Sequence, residues 1–429
     1  MAVLVKVQIH GDACHENITY CDINLGKCFR MVKLRPMDSQ DSQDRLQTHC
    51  VHLGGKEGRN GPYVPSIVQS TVFDLGDAAD AEAIFSGERS GFAYTRFGNP
   101  TVEKLAEAVQ RLESGKGAMV TSSGNAATLC AITAAMLGRK GNLLTHPDIY
   151  GGSHELLAIL GEVHGLPVEV LDSANEEKWL RSVSRAGAVL LESPSNPLMR
   201  LIDIEATVRA ARACGAPVIV DNTVATPYNQ RPLDLGADWV VQSTSKYLNG
   251  HSDMIGGCVV KREALTQQDR RIHKNLGGTV NAMEAWMILR GMRTFALRMK
   301  VHNRNGAAIA QWLAVRPEVE RVFFPESGEG RQKEIFERQM AAGSGLLAFE
   351  LKGGKAAAEQ FLDRMKLITH AVSLGGMESL ATRPAMSSHR GMTPTGRAQA
   401  GISEGLIRLS VGVESTADLV ADLEHALAD

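Results

Sequence analysis

The chain has 429 residues, of which 44% are hydrophobic and 22% charged, as in a soluble globular protein with two or three packed domains or one large α/β unit. A formal net charge of −2 gives no basic field, which argues against nucleic acid or an anionic membrane as the main partner. No apolar run reaches the length of a membrane span.

The opening MAVLVKVQIHGD has no basic region followed by a long apolar one, so no signal peptide is expected. The 7 cysteines are odd in number and scattered, which argues against a disulfide framework and for a reducing cytoplasm. Cys14, Cys21 and Cys28 lie near His10 and His15, but their spacing is wider than that of usual metal-ligand pairs, so no metal is expected. Residues 1–50 read as a flexible extension, or as upstream sequence before Met31 or Met37. The polar run Asp38–Asp44 reads as a flexible join.

From about Leu53 strands and helices alternate. Lys116–Thr121 is strand-like and Asn125–Leu137 helical. Asn142–His146 is a short apolar run, Glu155–Glu162 helical and Pro167–Asp172 strand-like. Ala186–Glu192 is an apolar run that ends in the turn Ser193–Pro197. Ile204–Cys214 is helical, and Pro217–Asp221 and Trp239–Gln242 are short strands. This pattern describes a mostly parallel sheet covered on both faces, whose ligands bind beyond the carboxyl ends of the strands. Met283–Ala314 reads as one long helical stretch. Strands at Leu346–Leu351, Leu367–Ser373 and Leu406–Val411 follow, with helices Ala356–Met365 and Ser415–Ala428, as in a smaller α/β domain.

The polar motifs fall at strand ends. Lys246 follows the strand Trp239–Gln242 and is flanked by Ser243 and Ser245. A partly desolvated lysine there can act as a nucleophilic amine, and the hydroxyls can bond phosphate oxygens. A plain surface lysine fits the same short motif. Asp221 ends another strand, where a carboxylate can hold a pyridine nitrogen protonated or simply cap a turn. Gly124 and Asn125 open a helix after a strand, where backbone N–H groups and the helix dipole favour an anion. Ser122 or Ser123 as a simple helix cap is the plainer reading.

Seven segments occur in order: FAYTRFGNPTV (Phe92–Val102), SSGNA (Ser122–Ala126), YGGS (Tyr150–Ser153), ESPSNPLMRL (Glu192–Leu201), VDNTVATPY (Val220–Tyr228), Ser243–Gly257 and SLGGMESL (Ser373–Leu380). Together they resemble the signatures of the pyridoxal 5'-phosphate (PLP) dependent cysteine/methionine trans-sulfuration family, from about residue 50 onward. That family includes cystathionine γ-synthases and γ-lyases, O-acetylhomoserine sulfhydrylases and methionine γ-lyases. The resemblance implies PLP fold type I, aspartate-aminotransferase-like: a large domain with a mostly parallel seven-stranded sheet and a smaller C-terminal α/β domain. It implies an extension over 1–50, an arm over 51–110 reaching the neighbouring subunit, a PLP-binding domain over 111–300 and a small domain over 301–429. A homotetramer built from two active dimers is expected.

By the same resemblance Lys246 is the Schiff-base lysine and proton carrier, Asp221 the pyridine partner and Tyr150 the ring-stacking tyrosine. Gly124, Asn125, Ser243 and Ser245 match phosphate-binding positions, and Tyr94 and Arg96 a pair donated by the neighbouring subunit. Arg408 matches the arginine that grips the substrate α-carboxylate, with Asn196 and Ser373 beside it. Lys246 would move protons, and Tyr94 or Tyr150 would assist the leaving group. The implied reaction is γ-elimination or γ-replacement on a homoserine-derived or sulfur amino acid. A β-lyase or aminotransferase on the same fold, or a non-catalytic PLP-binding paralogue, are the alternatives.

Glu378 matches the glutamate typical of enzymes acting at Cγ, and no tryptophan stands near Ser373–Leu374 as in β-lyases. Gly152 stands where methionine γ-lyases commonly carry cysteine, and Glu155 where cystathionine enzymes tend to carry arginine. A glutamate there would repel a distal carboxylate by ~1–3 kcal/mol. The expectation is a neutral or cationic γ-substituent, as in O-acetylhomoserine, homocysteine, methionine or canavanine; a Glu155 that only faces solvent is the competing reading. His389 keeps a family position, and Arg390 and Arg397 add charge nearby.

Overall fold

The computed structural model describes residues 4–7, 17–22, 27–32, 39–55 and 59–428. The chain divides into two compact units, residues 1–45 and 46–429. In the first, β1 (Leu4–Val7), β2 (Asn17–Asp22) and β3 (Lys27–Val32) form an antiparallel sheet. Cys21 and Cys28 are register partners there, while His10, Cys14 and His15 lie outside the described residues. Most of the polar run expected as a join belongs to the helix Ser39–Val51. Serine and aspartate at its start suit a helix N-terminus, which a compositional reading takes for a linker.

In the second unit a seven-stranded sheet carries the expected pattern. Its strands are β4 (Gly117–Thr121), β5 (Leu143–Thr145), β6 (Val168–Val170), β7 (Ala188–Glu192), β8 (Val218–Asp221), β9 (Trp239–Gln242) and β10 (Gly257–Lys261). They lie in the order β4-β10-β9-β8-β7-β5-β6. β10 is antiparallel to both neighbours, and the other pairings are parallel. Successive strand residues point to opposite faces. Ala188 and Leu190 of β7 therefore join one core with Ile132 and Leu160 of the helices Gly124–Met136 and Gly151–His164. Val189 and Leu191 join the opposite core with Trp179, Ile204 and Val208. Burial on both faces explains why these strands read as continuous apolar runs.

The second sheet contains β11 (Val319–Phe323), β12 (Leu346–Leu351), β13 (Thr369–His370), β14 (Leu380–Thr382) and β15 (Leu406–Ser410), in the order β11-β12-β15-β14-β13. Ile407 and Leu409 of β15 pack with Phe361, Leu419 and Leu423 on its helix-covered face. Arg408, between them, points to the other face.

Two expected elements differ. The stretch Met283–Ala314 is two helices, Ala282–Met292 and Phe295–Ala314. Arg298 and Thr294 both donate to the Gly291 carbonyl at the break, at 3.0 and 3.1 Å. The expected strand Leu367–Ser373 is paired only at Thr369–His370, because the chain turns away at Ser373, whose φ is 120°.

Candidate active site

A cavity of about 940 Å³ lies at the carboxyl ends of β7, β8 and β9. Its walls bring together Gly124, Asn125, Tyr150, Asn196, Asp221, Ser243, Ser245, Lys246, Ser373, Glu378 and Arg408 from segments far apart in sequence.

Lys246 Nζ donates to Ser373 Oγ at 2.7 Å. Burial, and next the charge of Arg408, push this amine down to about 8 from 10.5. Asp221 accepts the N–H and hydroxyl of Thr223 at 2.9 and 2.6 Å, and Thr223 Oγ1 in turn accepts the Ser243 N–H at 2.9 Å. Burial raises Asp221, and the Thr223 bonds oppose the rise. A cation beside it would pull it down again.

Ser123 caps the helix Gly124–Met136 by accepting the Ala126 N–H at 3.1 Å. The N–H groups of Gly124 and Asn125 then belong to the first turn, which lacks intrahelical acceptors, and they border the cavity. A Cβ at Gly124 would stand 2.9 Å from Ser243 Cβ, so glycine lets these two loops close up. The Ser245 hydroxyl donates to the Gly256 carbonyl at 3.1 Å and accepts the Gly256 N–H at 3.0 Å. Asn125 Nδ2 donates to the Gly152 carbonyl at 3.2 Å.

Arg408 is buried. It donates to the Ser373 carbonyl at 2.9 Å and to Asn196 Oδ1 at 3.4 Å, while its Nε has no partner among the described residues. Burial lowers this guanidinium to about 10. A buried charged donor without an acceptor is costly, and an anion in the cavity would offset that cost.

Behind Tyr150 lies a network the sequence reading did not single out. Glu192, which ends β7, accepts the Tyr150 N–H at 2.8 Å. Its own N–H donates to His146 Nε2 at 3.0 Å, so His146 Nδ1 carries the proton that goes to Asp148 at 2.8 Å. Burial alone would raise Asp148, but His146, Arg200 and Ser195 outweigh it and hold the carboxylate below its usual range. Glu192 is register partner to Asp221, and burial followed by that neighbouring charge pushes Glu192 well up. The signal was present in the sequence: a glutamate closing an apolar strand. His389, lowered to about 4 by burial, approaches the Ile149 carbonyl at 3.3 Å.

Three expected site residues lie off this cavity. Glu155 is exposed and lines a neighbouring cavity of about 500 Å³ with His154, Arg390 and Gly391; the two cavities share Tyr150, Ser387 and Ser388. Tyr94 and Arg96 line neither. Arg96 donates to the Lys274 carbonyl at 2.9 Å and lies over the Tyr94 and Phe97 rings. Arg397 is bound to Glu404 and the Met392 carbonyl, at 3.1 and 2.8 Å. Glu378 accepts the Ser252 hydroxyl at the cavity wall.

A buried amine of lowered pKa, a strand-end carboxylate and a helix-start anion cradle define the site of a PLP enzyme of fold type I. The chain belongs to the Cys/Met metabolism PLP-dependent enzyme family, whose model matches residues 47–428. It is 37% identical over 386 residues to an L-methionine γ-lyase of Fusobacterium nucleatum, covering 89% of this chain and 98% of that one. It is 40% identical over 335 residues to the cystathionine γ-synthase of Escherichia coli K12, covering 77% and 86%. The solved cystathionine γ-synthase of Xanthomonas oryzae superposes with a TM-score of 0.84 at 38% identity, covering 92% of this chain and 98% of that one. The protein is thus a PLP-dependent enzyme of γ-elimination or γ-replacement, with amino acids as its substrates. Among the described residues no helix is long and apolar enough to cross a membrane, and no group of side chains suits a metal.

Proposed function

We propose that this enzyme acts on an amino acid whose γ-substituent is neutral or cationic. The observation that carries this reading is the charge distribution of the large cavity. Its lining cations among the described residues are Lys246 and Arg408, and both are hydrogen-bonded to Ser373. The other ionisable residues of the lining except Tyr150 are the acids Glu192, Asp221 and Glu378, and none of them can carry positive charge. With Arg408 engaged on the α-carboxylate and Lys246 on the cofactor, no lining cation among the described residues remains for a second carboxylate at the far end of a substrate. In the neighbouring cavity Glu155 adds a negative charge, and Arg390 stands opposite in sign.

In this reading Lys246 would anchor the cofactor, Asp221 would keep its ring nitrogen protonated, and Tyr150 would border its ring. The N–H groups of Gly124 and Asn125, with the hydroxyls of Ser243 and Ser245, would hold its phosphate. Bound PLP supplies an electron sink for charge developing at the substrate Cα. Arg408 and Asn196 orient the α-carboxylate. Lys246, whose free amine burial and Arg408 lower to about 8, takes the Cα proton and returns it elsewhere along the side chain. Tyr150, or Tyr94 of a second copy, gives a proton to the leaving group. Tyr94 and Arg96 lie off their own chain's cavities, which supports reading them as a pair given to a neighbour's site and the working form as a homotetramer. Residues 51–110 then act as the arm, 111–300 as the cofactor-binding domain and 301–429 as the small domain. The free cysteines Cys50, Cys130, Cys214 and Cys258 support a cytoplasmic setting.

The test is a parallel assay of cystathionine, O-acetylhomoserine with sulfide, methionine, homocysteine and canavanine, reading 2-oxobutyrate and thioether product, with Lys246→Ala as blank. Preference for an uncharged or cationic γ-group is expected. Dominant turnover of cystathionine that Glu155→Ala leaves unchanged would defeat the reading.

A further inference from the structure

Asn196 stands on the loop after β7, and Arg408 on β15 of the other sheet. Their own contact, at 3.4 Å, is long and too weak to fix the gap between them. A stronger connection lies behind. The helix Arg331–Gln339, between β11 and β12 in the chain, presents two glutamines to the base of the Asn196 loop. Gln332 accepts the Leu201 N–H at 2.7 Å and donates to the Leu201 carbonyl at 2.9 Å, as a neighbouring strand would. Gln339 accepts the Ile204 N–H at 3.1 Å and donates to Ser193 Oγ at 3.2 Å and Gln230 Oε1 at 2.9 Å. Halfway along the loop, the Ser195 hydroxyl donates to Asp148 at 2.7 Å and accepts the Arg200 N–H at 3.1 Å.

We propose that Gln332 and Gln339 are positioning residues that set the spacing of Asn196 and Arg408, and through it the grip on the substrate α-carboxylate. Neither glutamine lines the cavity. Each bonds the loop through main-chain or buried groups that have to find a partner somewhere. Arg331 and Arg338 also pair with the buried Asp203 alongside, at 2.8 and 2.6 Å, and add charge to the junction without bonding the main chain of the loop. The glutamines are therefore the specific part of the junction. The inference rests on Arg408 and Asn196 binding the α-carboxylate and is independent of the γ-substituent.

The experiment titrates holoenzyme with L-alanine and with L-alaninamide, which lack a γ-substituent and differ in the carboxylate. Binding is read from the absorbance of the bound cofactor in wild type, Gln332→Ala, Gln339→Ala and Arg408→Lys. Wild type is expected to prefer alanine, and Arg408→Lys to lose that preference. Each glutamine variant is expected to reduce it about fivefold, mostly through weaker alanine binding. Gln339→Glu, which keeps the acceptor for Ile204 and removes the donor to Ser193 and Gln230, gives a second variant in which the change must have the same direction. A preference kept in the glutamine variants but lost in Arg408→Lys overturns the proposal alone. Parallel weakening of both ligands does the same, since it marks a merely structural role. A wild type without any preference overturns the assignment of Arg408 and the proposal with it.

Discussion

Lys246 donates to Ser373 across a sequence separation of 127 residues, and Arg408 donates to the carbonyl of the same serine. Ser373 thus holds two cations near one another, and Arg408 is, after burial, the second cause of the lowered Lys246 amine. Attachment of PLP requires the neutral amine. The rate at which apoprotein binds PLP, read from the visible band, is expected to climb with pH and level off above about 8. Arg408→Gln removes one cause of the shift, so the midpoint should move upward, toward 10.5. A midpoint indifferent to that substitution would mean that Arg408 does not act on the amine.

Asp221 is expected to govern the electronics of the site. Its carboxylate is held by Thr223 and is register partner to Glu192. Asp221→Asn retains size and loses charge, and turnover should fall about a hundredfold, as when one preorganised electrostatic group is removed. PLP binding should weaken less. Asp221→Glu should recover part of the rate. Equal rates for Asn and Glu variants would show that charge at this position is immaterial.

Sharing of sites between chains is testable by mixing. Lys246→Ala and Arg96→Ala variants should each be inactive or nearly so. In randomly mixed dimers one site of each heterodimer receives both intact residues, so about a quarter of full activity should return. No recovery after verified subunit exchange would place Arg96 outside the site.

How far the sequence exposed this site depends on the scale of the interaction. Strand ends are local, so Asp221, Glu192 and Lys246 could be placed from short apolar runs closed by polar residues. Strands β5, β7, β8 and β9 lie buried on both faces, which is what makes those runs continuous. The junction between Gln332, Gln339 and the Asn196 loop was not legible, because it joins helix and loop across 131 and 135 residues with no periodic pattern to mark it. The division of Met283–Ala314 was hidden for a similar reason. It depends on Gly291, where a Cβ would come within 2.3 Å of the Asn249 carbonyl, and on Arg298, whose donors go to carbonyls of Tyr247 and Leu248. Glu155 shows the opposite case: its departure from the family pattern is visible in sequence, but its place in the second cavity depends on how the loop at Gly391 folds over it.

Beneath the site, Glu113 carries the remaining prediction. Its Oε1 accepts the side-chain amides of Asn222, at 2.9 Å, and Gln242, the residues next to Asp221 and Ser243. Its Oε2 is buried without a partner among the described residues. Burial pushes this carboxyl up to about 8 from 4.5, and the two amides only partly oppose the shift. The folded chain therefore retains a proton here between those two values that the unfolded chain has released. Stability then falls as pH rises across this window, by up to ~1.4 kcal/mol per pH unit from this group. Glu113→Gln cannot ionise and still offers an acceptor to both amides. Compared by denaturant unfolding at pH 5 and pH 8, values inside the window set by the cited shift, the variant should lose less stability than wild type over that interval. Its advantage should be larger at the higher pH. An identical loss in both proteins would mean that Glu113 is ionised in the folded state throughout the window, with its cost met by a donor other than Asn222 and Gln242.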